Sequence, residues 1–134
     1  MASNDVPYGY TRELRGVTVD QAIERATAAL KAEGFGVLTT IDVKDTLKKK
    51  IGAEFRRYVI LGACNPNLAH KALTAELGMG LLLPCNVTVF EGDEGQAVVQ
   101  IIKPEAMFSV VRKPGMEPLV AEADTKLKRA LENV

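Results

Sequence analysis

The chain has 134 residues, of which 47% are hydrophobic and 25% are charged, a composition typical of an ordinary globular protein. Seventeen basic residues balance seventeen acidic ones, whereas domains that bind nucleic-acid phosphates usually carry an excess of basic residues. The N-terminus lacks the apolar stretch of a signal peptide, and no run reaches the ~18 apolar residues of a membrane span. We therefore expect one cytoplasmic domain over residues 1–134, with no nucleic-acid partner and no membrane partner.

The periodicity of apolar residues, together with capping and turn residues, predicts a chain that contains both strands and helices. Residues 1–7 lack an apolar pattern and predict a flexible lead-in. The predicted elements are, in chain order, a strand over 8–15, a helix over 19–33, a strand over 35–41, a short helix over 42–52, a strand over 54–63, a helix from 66 to Gly78, strands over 87–90 and 96–102, and a helix from Pro118. The capping-box pair Thr18 and Gln21 marks the first helix most clearly.

Two segments of the second half are harder to assign. Residues 81–83 are three leucines in a row, which predicts a short buried segment, and Pro84 limits how it can pair. Residues 104–118 contain three prolines among apolar residues and predict a packed loop with a short turn of helix. The acidic, glycine-containing turn at 91–95 predicts a hairpin between the strands that flank it.

The first cysteine of the chain stands at the start of a predicted helix. In Cys64-Asn65-Pro66, Asn65 suits the N-cap and Pro66 suits the first helical position. Free amides and the helix dipole at such an end favour negative charge. Cys64 could therefore act as a nucleophile or metal ligand, or the helix end could bind an anion.

The second cysteine repeats this pattern after the helix, as Pro84-Cys85-Asn86. Capping and burial each explain single residues, but they do not explain two Cys-Asn pairs around one helix. If the flanking strands pair, both corners come to one edge of the sheet. We therefore predict a ligand site at Cys64, Asn65, Cys85 and Asn86.

The sequence leaves other chemistries open at the same place. His70, the only histidine, lies between the cysteines, so a metal site could use Cys64, His70 and Cys85. Their spacing matches none of the usual structural zinc patterns, and no metal or cofactor is predicted from it. Without a C-x-x-C motif, a redox pair requires the fold to bring the thiols together.

The corner motifs resemble the "domain of unknown function 302" family, a set of small bacterial and archaeal proteins. Its signature joins a G-A-C-N-P corner to an L-L-P-C-N corner across a helix, here residues 62–66 and 82–86. The resemblance implies an α+β fold with helices packed on one face of an antiparallel sheet, in a TATA-binding-protein-like β-α-β(4)-α order. It also implies a homodimer, and it implies no catalytic residues.

Three functional hypotheses follow. The first is a module that binds a small molecule or an anion at the two Cys-Asn corners. The second is a thiol-dependent redox or metal-binding protein that uses Cys64 and Cys85. The third is a structural or interaction protein whose corners only shape the fold. Whether any catalysis occurs stays open at this point.

Overall fold

Five antiparallel strands form one sheet in the computed structural model, which describes residues 4–134. The strands are β1 (Gly9–Leu14), β2 (Gly36–Asp42), β3 (Tyr58–Cys64), β4 (Cys85–Glu91) and β5 (Ala97–Ile102). The helices are α1 (Val19–Ala32), α2 (Val43–Ile51), α3 (Pro66–Ala75), α4 (Pro104–Phe108) and α5 (Glu117–Glu132), with a 3-10 helix at Leu77–Leu82. The spatial order of the strands is β1-β5-β4-β3-β2. The predicted α+β class is confirmed.

Helices α1 and α5 pack against each other and against one face of this sheet. The strand register identifies that face: Tyr10 of β1 lies opposite Ile101 of β5, and the Tyr10 hydroxyl donates to Asp124 of α5. Arg12, two residues further along β1, donates to the main-chain oxygen of Leu131 in α5. The core lies between this face and the two long helices.

Alternation along each strand divides the side chains between the two faces. On the helix face lie odd-numbered residues of β4, of which Val87 and Val89 are fully buried in the main core. The opposite face, called the open face below, carries the even-numbered residues. There Phe90 stacks on Tyr58 of β3 with ring centroids 5.1 Å apart.

A local capping signal places the start of α1 as predicted. The Thr18 hydroxyl accepts from the Gln21 amide while the Gln21 side chain accepts from the Thr18 amide, which is a complete capping box. Short helices lie between β2 and β3, between β3 and β4, and before α5. The strands and the two long helices therefore follow the order β-α-β(4)-α.

Three expectations about element bounds and burial were wrong. Residues 81–83 are not a buried segment: Leu81 lies in the 3-10 helix and is 91% exposed. Helix α3 ends at Ala75, before Leu77, which is also exposed. Both differences have one cause, because the 3-10 helix turns Met79 inward instead and buries it completely. Strand β3 begins at Tyr58, since residues 52–57 are irregular.

Part of the predicted lead-in over residues 1–7 is tied to the sheet. Residues 1–3 lie outside the described residues, but the main-chain oxygen of Asn4 accepts from the Gln100 side chain at 2.7 Å. From Asn4 onward, none of the helices has the length and apolar character needed to cross a membrane.

Candidate functional site

The first Cys-Asn corner joins β3 to α3. Cys64 is the last residue of β3, and Asn65 is the N-cap of α3, where its side-chain oxygen accepts from the Leu68 amide at 3.2 Å. Pro66 occupies the first helical position, where a missing N–H costs nothing. Asn65 is only 6% exposed. Its side chain therefore accepts from the Leu68 amide at a place where water could not easily supply the hydrogen bond.

The second corner packs directly against the first. Cys85, the first residue of β4, lies opposite Ala63 of β3. Immediately before it, the Pro84 ring packs over Gly62, where an added Cβ would lie 2.8 Å from Pro84 Cγ. Gly62 therefore leaves the space that lets the two corners meet.

A small cavity of about 40 Å³ lies between the corners and the helices. Cys64, Asn65 and Cys85 contribute to its wall, and the remaining lining is apolar. Apolar side chains come from α3, from the residues before β4 and from α5, among them Leu68, Ala72, Leu83 and Leu119. At 10–15 Å³ for each water, the volume corresponds to about three water molecules.

The two thiols in this cavity have different environments. Cys85 is buried, whereas Cys64 is only partly buried. Burial, and to a smaller extent the neighbouring Cys64, raises the pKa of the Cys85 thiol to about 11. Cys85 is therefore a neutral thiol at neutral pH, and a poor nucleophile as long as its burial lasts.

A third sulfur lies next to the buried thiol. The Sδ atom of Met107, from α4, is 3.8 Å from Cys85 Sγ, and both side chains are buried. Sequence reasoning did not single out Met107 as a site residue. The two positions are 22 residues apart, and no local spacing rule connects them.

The structure separates Asn86 from the other predicted site residues. Because Asn86 follows Cys85 in β4, its side chain projects from the open face, where it lines a different pocket. The prediction that all four Cys-Asn residues line one cleft therefore holds for three of them only. Strand alternation is the physical reason.

His70 also lies away from the two cysteines. It is an exposed residue of α3 and does not line the cavity. Across residues 4–134, no cluster of three or more His, Cys, Asp or Glu side chains is placed to hold a metal ion. The Cys64, His70 and Cys85 metal set is therefore not assembled.

A larger open groove of about 880 Å³ runs between β1, α4 and α5. At its floor the ammonium groups of Lys103 and Lys128 lie about 5 Å from the Tyr10 ring centroid. Burial and the hydrogen bond to Asp124 raise the pKa of the Tyr10 hydroxyl. Lys128 also forms an ion pair with Asp124 at 3.2 Å. These contacts hold α5 against β1. Within them, the charge of Lys128 is paired with that of Asp124.

Comparison with known proteins gives a family and a fold. The family described as "Domain of unknown function DUF302" matches residues 10–134. A crystal structure of an uncharacterized conserved protein DUF302 from Bacillus stearothermophilus superposes with a TM-score of 0.87 at 30% sequence identity. The alignment covers 96% of this chain and 98% of that one. No curated protein matches the sequence significantly.

Proposed function

The chain belongs to the DUF302 family, and from that premise we propose that it is a binding module for a small, soft ligand held by sulfur. The observation that carries the proposal is that the only two cysteines of the chain share the wall of one cavity. From the pairing of Ala63 with Cys85, the Cα atoms of Cys64 and Cys85 are about 6 Å apart.

The size of the cavity limits what the ligand can be. Binding pockets for metabolite-sized molecules usually measure ~300–1,000 Å³, and this cavity measures about 40 Å³. A single ion, or a molecule of a few atoms, fits that volume. A larger small molecule would have to open the contact between α3 and α5.

Two cysteines line the cavity and Met107 lies behind Cys85 without lining it; these sulfurs favour a soft metal ion, and copper(I) is the best match. Thiolate and thioether ligands select copper(I) over harder ions. Two sulfurs bound to one ion at ~2.3 Å lie roughly 3.8–4.0 Å apart at tetrahedral to trigonal angles. The sulfurs of Cys85 and Met107 already lie 3.8 Å apart. Cys64 also lines the cavity, and we propose it as the third sulfur; because it follows Ala63 in β3, its side chain must turn toward the pair from the end of the strand.

The same environment disfavours the anion and redox alternatives. An apolar wall that raises the pKa of Cys85 to about 11 opposes any added negative charge. It also keeps Cys85 protonated, which makes it a slow resolving thiol for a disulfide on Cys64. A cation has the opposite effect, because it compensates the charge of a thiolate as the thiol proton leaves.

Competition for copper(I) tests the proposal. The protein is titrated anaerobically against the chromophoric chelator bathocuproine disulfonate, with wild type compared with Cys64→Ser and Cys85→Ser. We expect one copper(I) per chain in wild type and at least tenfold weaker binding in each serine variant. Circular dichroism verifies that the variants are folded. Unchanged affinity in the Cys64→Ser, Cys85→Ser double variant would refute the site.

A matched pair of methionine variants tests the third ligand. Met107→Leu removes the sulfur next to Cys85, whereas Met79→Leu removes a sulfur from an equally buried position in the neighbouring apolar cluster. We expect weaker copper(I) binding in Met107→Leu and wild-type binding in Met79→Leu. Equal losses in both would indicate a packing effect instead of ligation.

For the homodimer implied by the family resemblance, we propose pairing through β2. This strand is at one edge of the sheet, carries no charge from Gly36 to Ile41, and exposes Leu38 to 68%. Charged side chains are a usual protection of edge strands, and the other edge, β1, carries them. Light scattering of Thr40→Lys, with Thr11→Lys in β1 as control, tests this pairing: only the β2 variant should be monomeric. A wild-type monomer would exclude the pairing.

A further inference from the structure

The open groove between β1, α4 and α5 is large enough for an organic molecule. It measures about 880 Å³, within the ~300–1,000 Å³ of pockets that bind small molecules. The partly buried side chains of Phe108 and Val120 and the buried side chain of Met116 line it. The groove therefore offers an apolar surface as well as charged side chains.

Two of the four cations that line the groove are not paired with a carboxylate. Lys113 and Lys128 form ion pairs, whereas none of the ion pairs within residues 4–134 includes Lys103 or Arg112. The Lys103 ammonium lies 5.2 Å from the centroid of the Tyr10 ring, and that contact uses none of its charge-assisted hydrogen bonds. Two positive charges are therefore available to a ligand.

Arg112 has a main-chain conformation that arginine rarely adopts. Its φ angle is +53°, and within residues 4–134 no other residue except glycine has a positive φ. This left-handed conformation costs free energy for any residue with a Cβ, and glycine would avoid the cost. Main-chain outliers of this kind cluster at ligand-binding sites. Folding alone does not account for an arginine here, whereas a contact of its guanidinium in the groove does.

The two unpaired cations stand at the two ends of one short helix. Lys103 is the N-cap residue of α4. Beyond the last residue of α4, the Val111 amide donates to the Phe108 main-chain oxygen at 3.1 Å, and this turn keeps Arg112 near the C-terminal end of the helix. Five helical residues rise only ~7 Å. Because both side chains line the groove, an anionic group over α4 lies between two positive charges.

The remaining charges of the groove leave it complementary to an anion. Glu105 is exposed and forms no ion pair within residues 4–134, whereas the Glu117 carboxylate accepts from the Gly115 amide at 3.1 Å. One unpaired carboxylate thus opposes two unpaired cations. The net charge of these unpaired groups is positive.

The types of the two cations select the anion. A phosphate monoester carries nearly two negative charges at neutral pH, and an arginine guanidinium can bind two of its oxygens at once. A carboxylate carries one charge. We propose that the groove binds a phosphate monoester of a small organic molecule, with Lys103 and Arg112 as the partners of the phosphate. Phe108 and Val120 then contact the organic part.

This inference is independent of the copper(I) site. Phe108 lines both the groove and the cysteine cavity, but none of the three sulfurs proposed for copper lines the groove. The Cys64→Ser, Cys85→Ser double variant should therefore bind the phosphate ester with wild-type affinity. Failure of either proposal leaves the other standing.

Titration with phenyl phosphate, followed by amide chemical shifts of the 15N-labelled full chain, tests the proposal. We expect saturable shifts centred on α4 and on residues 109–116. Benzoate has the same ring with a single charge, and inorganic phosphate lacks the ring, so each should bind at least tenfold more weakly. Absence of shifts in the groove would overturn the proposal, and so would binding of either control as tight as that of phenyl phosphate.

Charge variants of opposite sign test the two partners. Lys103→Gln and Arg112→Gln should each bind phenyl phosphate at least tenfold more weakly, whereas Glu105→Gln, which removes the unpaired carboxylate, should bind it more tightly. Lys50→Gln removes an exposed cation of α2 outside the groove and should retain wild-type affinity. Circular dichroism verifies that the variants are folded. Unchanged affinity in either cation variant, or weaker binding in Glu105→Gln, would overturn the proposal.

One further substitution separates binding from folding. Arg112→Gly removes the cost of the left-handed conformation, so we expect a higher thermal midpoint without ligand, by about 3 °C. The same variant should bind phenyl phosphate at least tenfold more weakly. Arg112→Gln retains a Cβ and should keep the wild-type midpoint. An Arg112→Gly variant with an unchanged midpoint or with wild-type affinity would overturn the proposal.

Discussion

A single methyl group added at Gly62 should displace the second Cys-Asn corner and lower the free energy of unfolding. A Cβ at Gly62 would lie 2.2 Å from Thr39 Oγ1 and 2.8 Å from Pro84 Cγ. Both distances are shorter than real Cβ contacts. The Thr39 side chain can rotate away, because its own Cβ would be 3.6 Å distant. The Pro84 ring cannot rotate, so Pro84 and the residue after it, Cys85, must shift.

The magnitude follows from two opposing effects. Replacement of glycine by alanine at an unstrained site stabilises a protein by ~0.4–1 kcal/mol through the unfolded chain. Overpacking of a filled interior costs ~1–3 kcal/mol. We therefore expect Gly62→Ala to lower the free energy of unfolding by about 1–2 kcal/mol. Gly36→Ala in β2 is the matched control, since a Cβ there meets nothing within 4 Å, and it should be neutral or stabilising.

Urea unfolding followed by circular dichroism measures the difference between the two variants. Adding Thr39→Ala to Gly62→Ala should restore part of the loss, because it removes the nearer of the two clashes, while the contact with Pro84 remains. Gly62→Ala should also weaken copper(I) binding through the displaced Cys85. If Gly62→Ala were as stable as Gly36→Ala, the interlocking of the corners described above would be refuted.

Three further predictions concern single side chains. Asn65→Ala removes the cap on the Leu68 amide and should cost about 1 kcal/mol in urea unfolding; Asn65→Asp, which retains a capping oxygen, should lose less, and equal losses would contradict the capping role. Because burial raises the pKa of Cys85 from 9.0 to about 11, the stability due to its neutral thiol is complete below pH 9 and is lost as the pH rises to 11, by up to roughly 2–3 kcal/mol. Unfolding measured from pH 7 to 11 should show this decline in wild type but not in Cys85→Ala, and parallel curves would contradict it. Tyr10→Phe removes the hydrogen bond to Asp124 and should lower the thermal midpoint by an amount equivalent to about 1 kcal/mol; an unchanged midpoint would show that this bond does not hold α5.

The parts of the fold that could be predicted from the sequence depend on contacts a few residues apart. The capping pair Thr18 and Gln21 and the cap at Asn65 were both predicted correctly, because a side chain and a main-chain amide three residues away suffice to define them. The exposure of Leu81 could not be predicted in this way. Whether an apolar run is buried depends on which of its members the neighbouring helices cover, and here Met79 is covered instead.

The candidate site shows the same division between local and non-local information. That Cys64 and Cys85 share a cavity could be anticipated from strands that pair, but the approach of Met107 depends on where α4 packs. The error about Asn86 follows from the predicted strand bounds, which began at residue 87. Because β4 begins at Cys85, the period of two along the strand makes Cys85 and Asn86 face opposite ways.

Strand β4 is the common wall of the two pockets, and this arrangement affects how the protein can change in evolution. Alternate residues of one strand serve different compartments: Cys85 serves the helix side, whereas Asn86 and Thr88 serve the open face. A substitution in β4 can therefore alter one compartment while the other keeps its lining. An insertion or deletion of one residue in β4 has the opposite effect, because it would move the lining side chains of each pocket to the other face of the sheet. We thus expect relatives to vary freely in the chemistry of either pocket but to keep the length of β4 between Pro84 and the turn after Glu91.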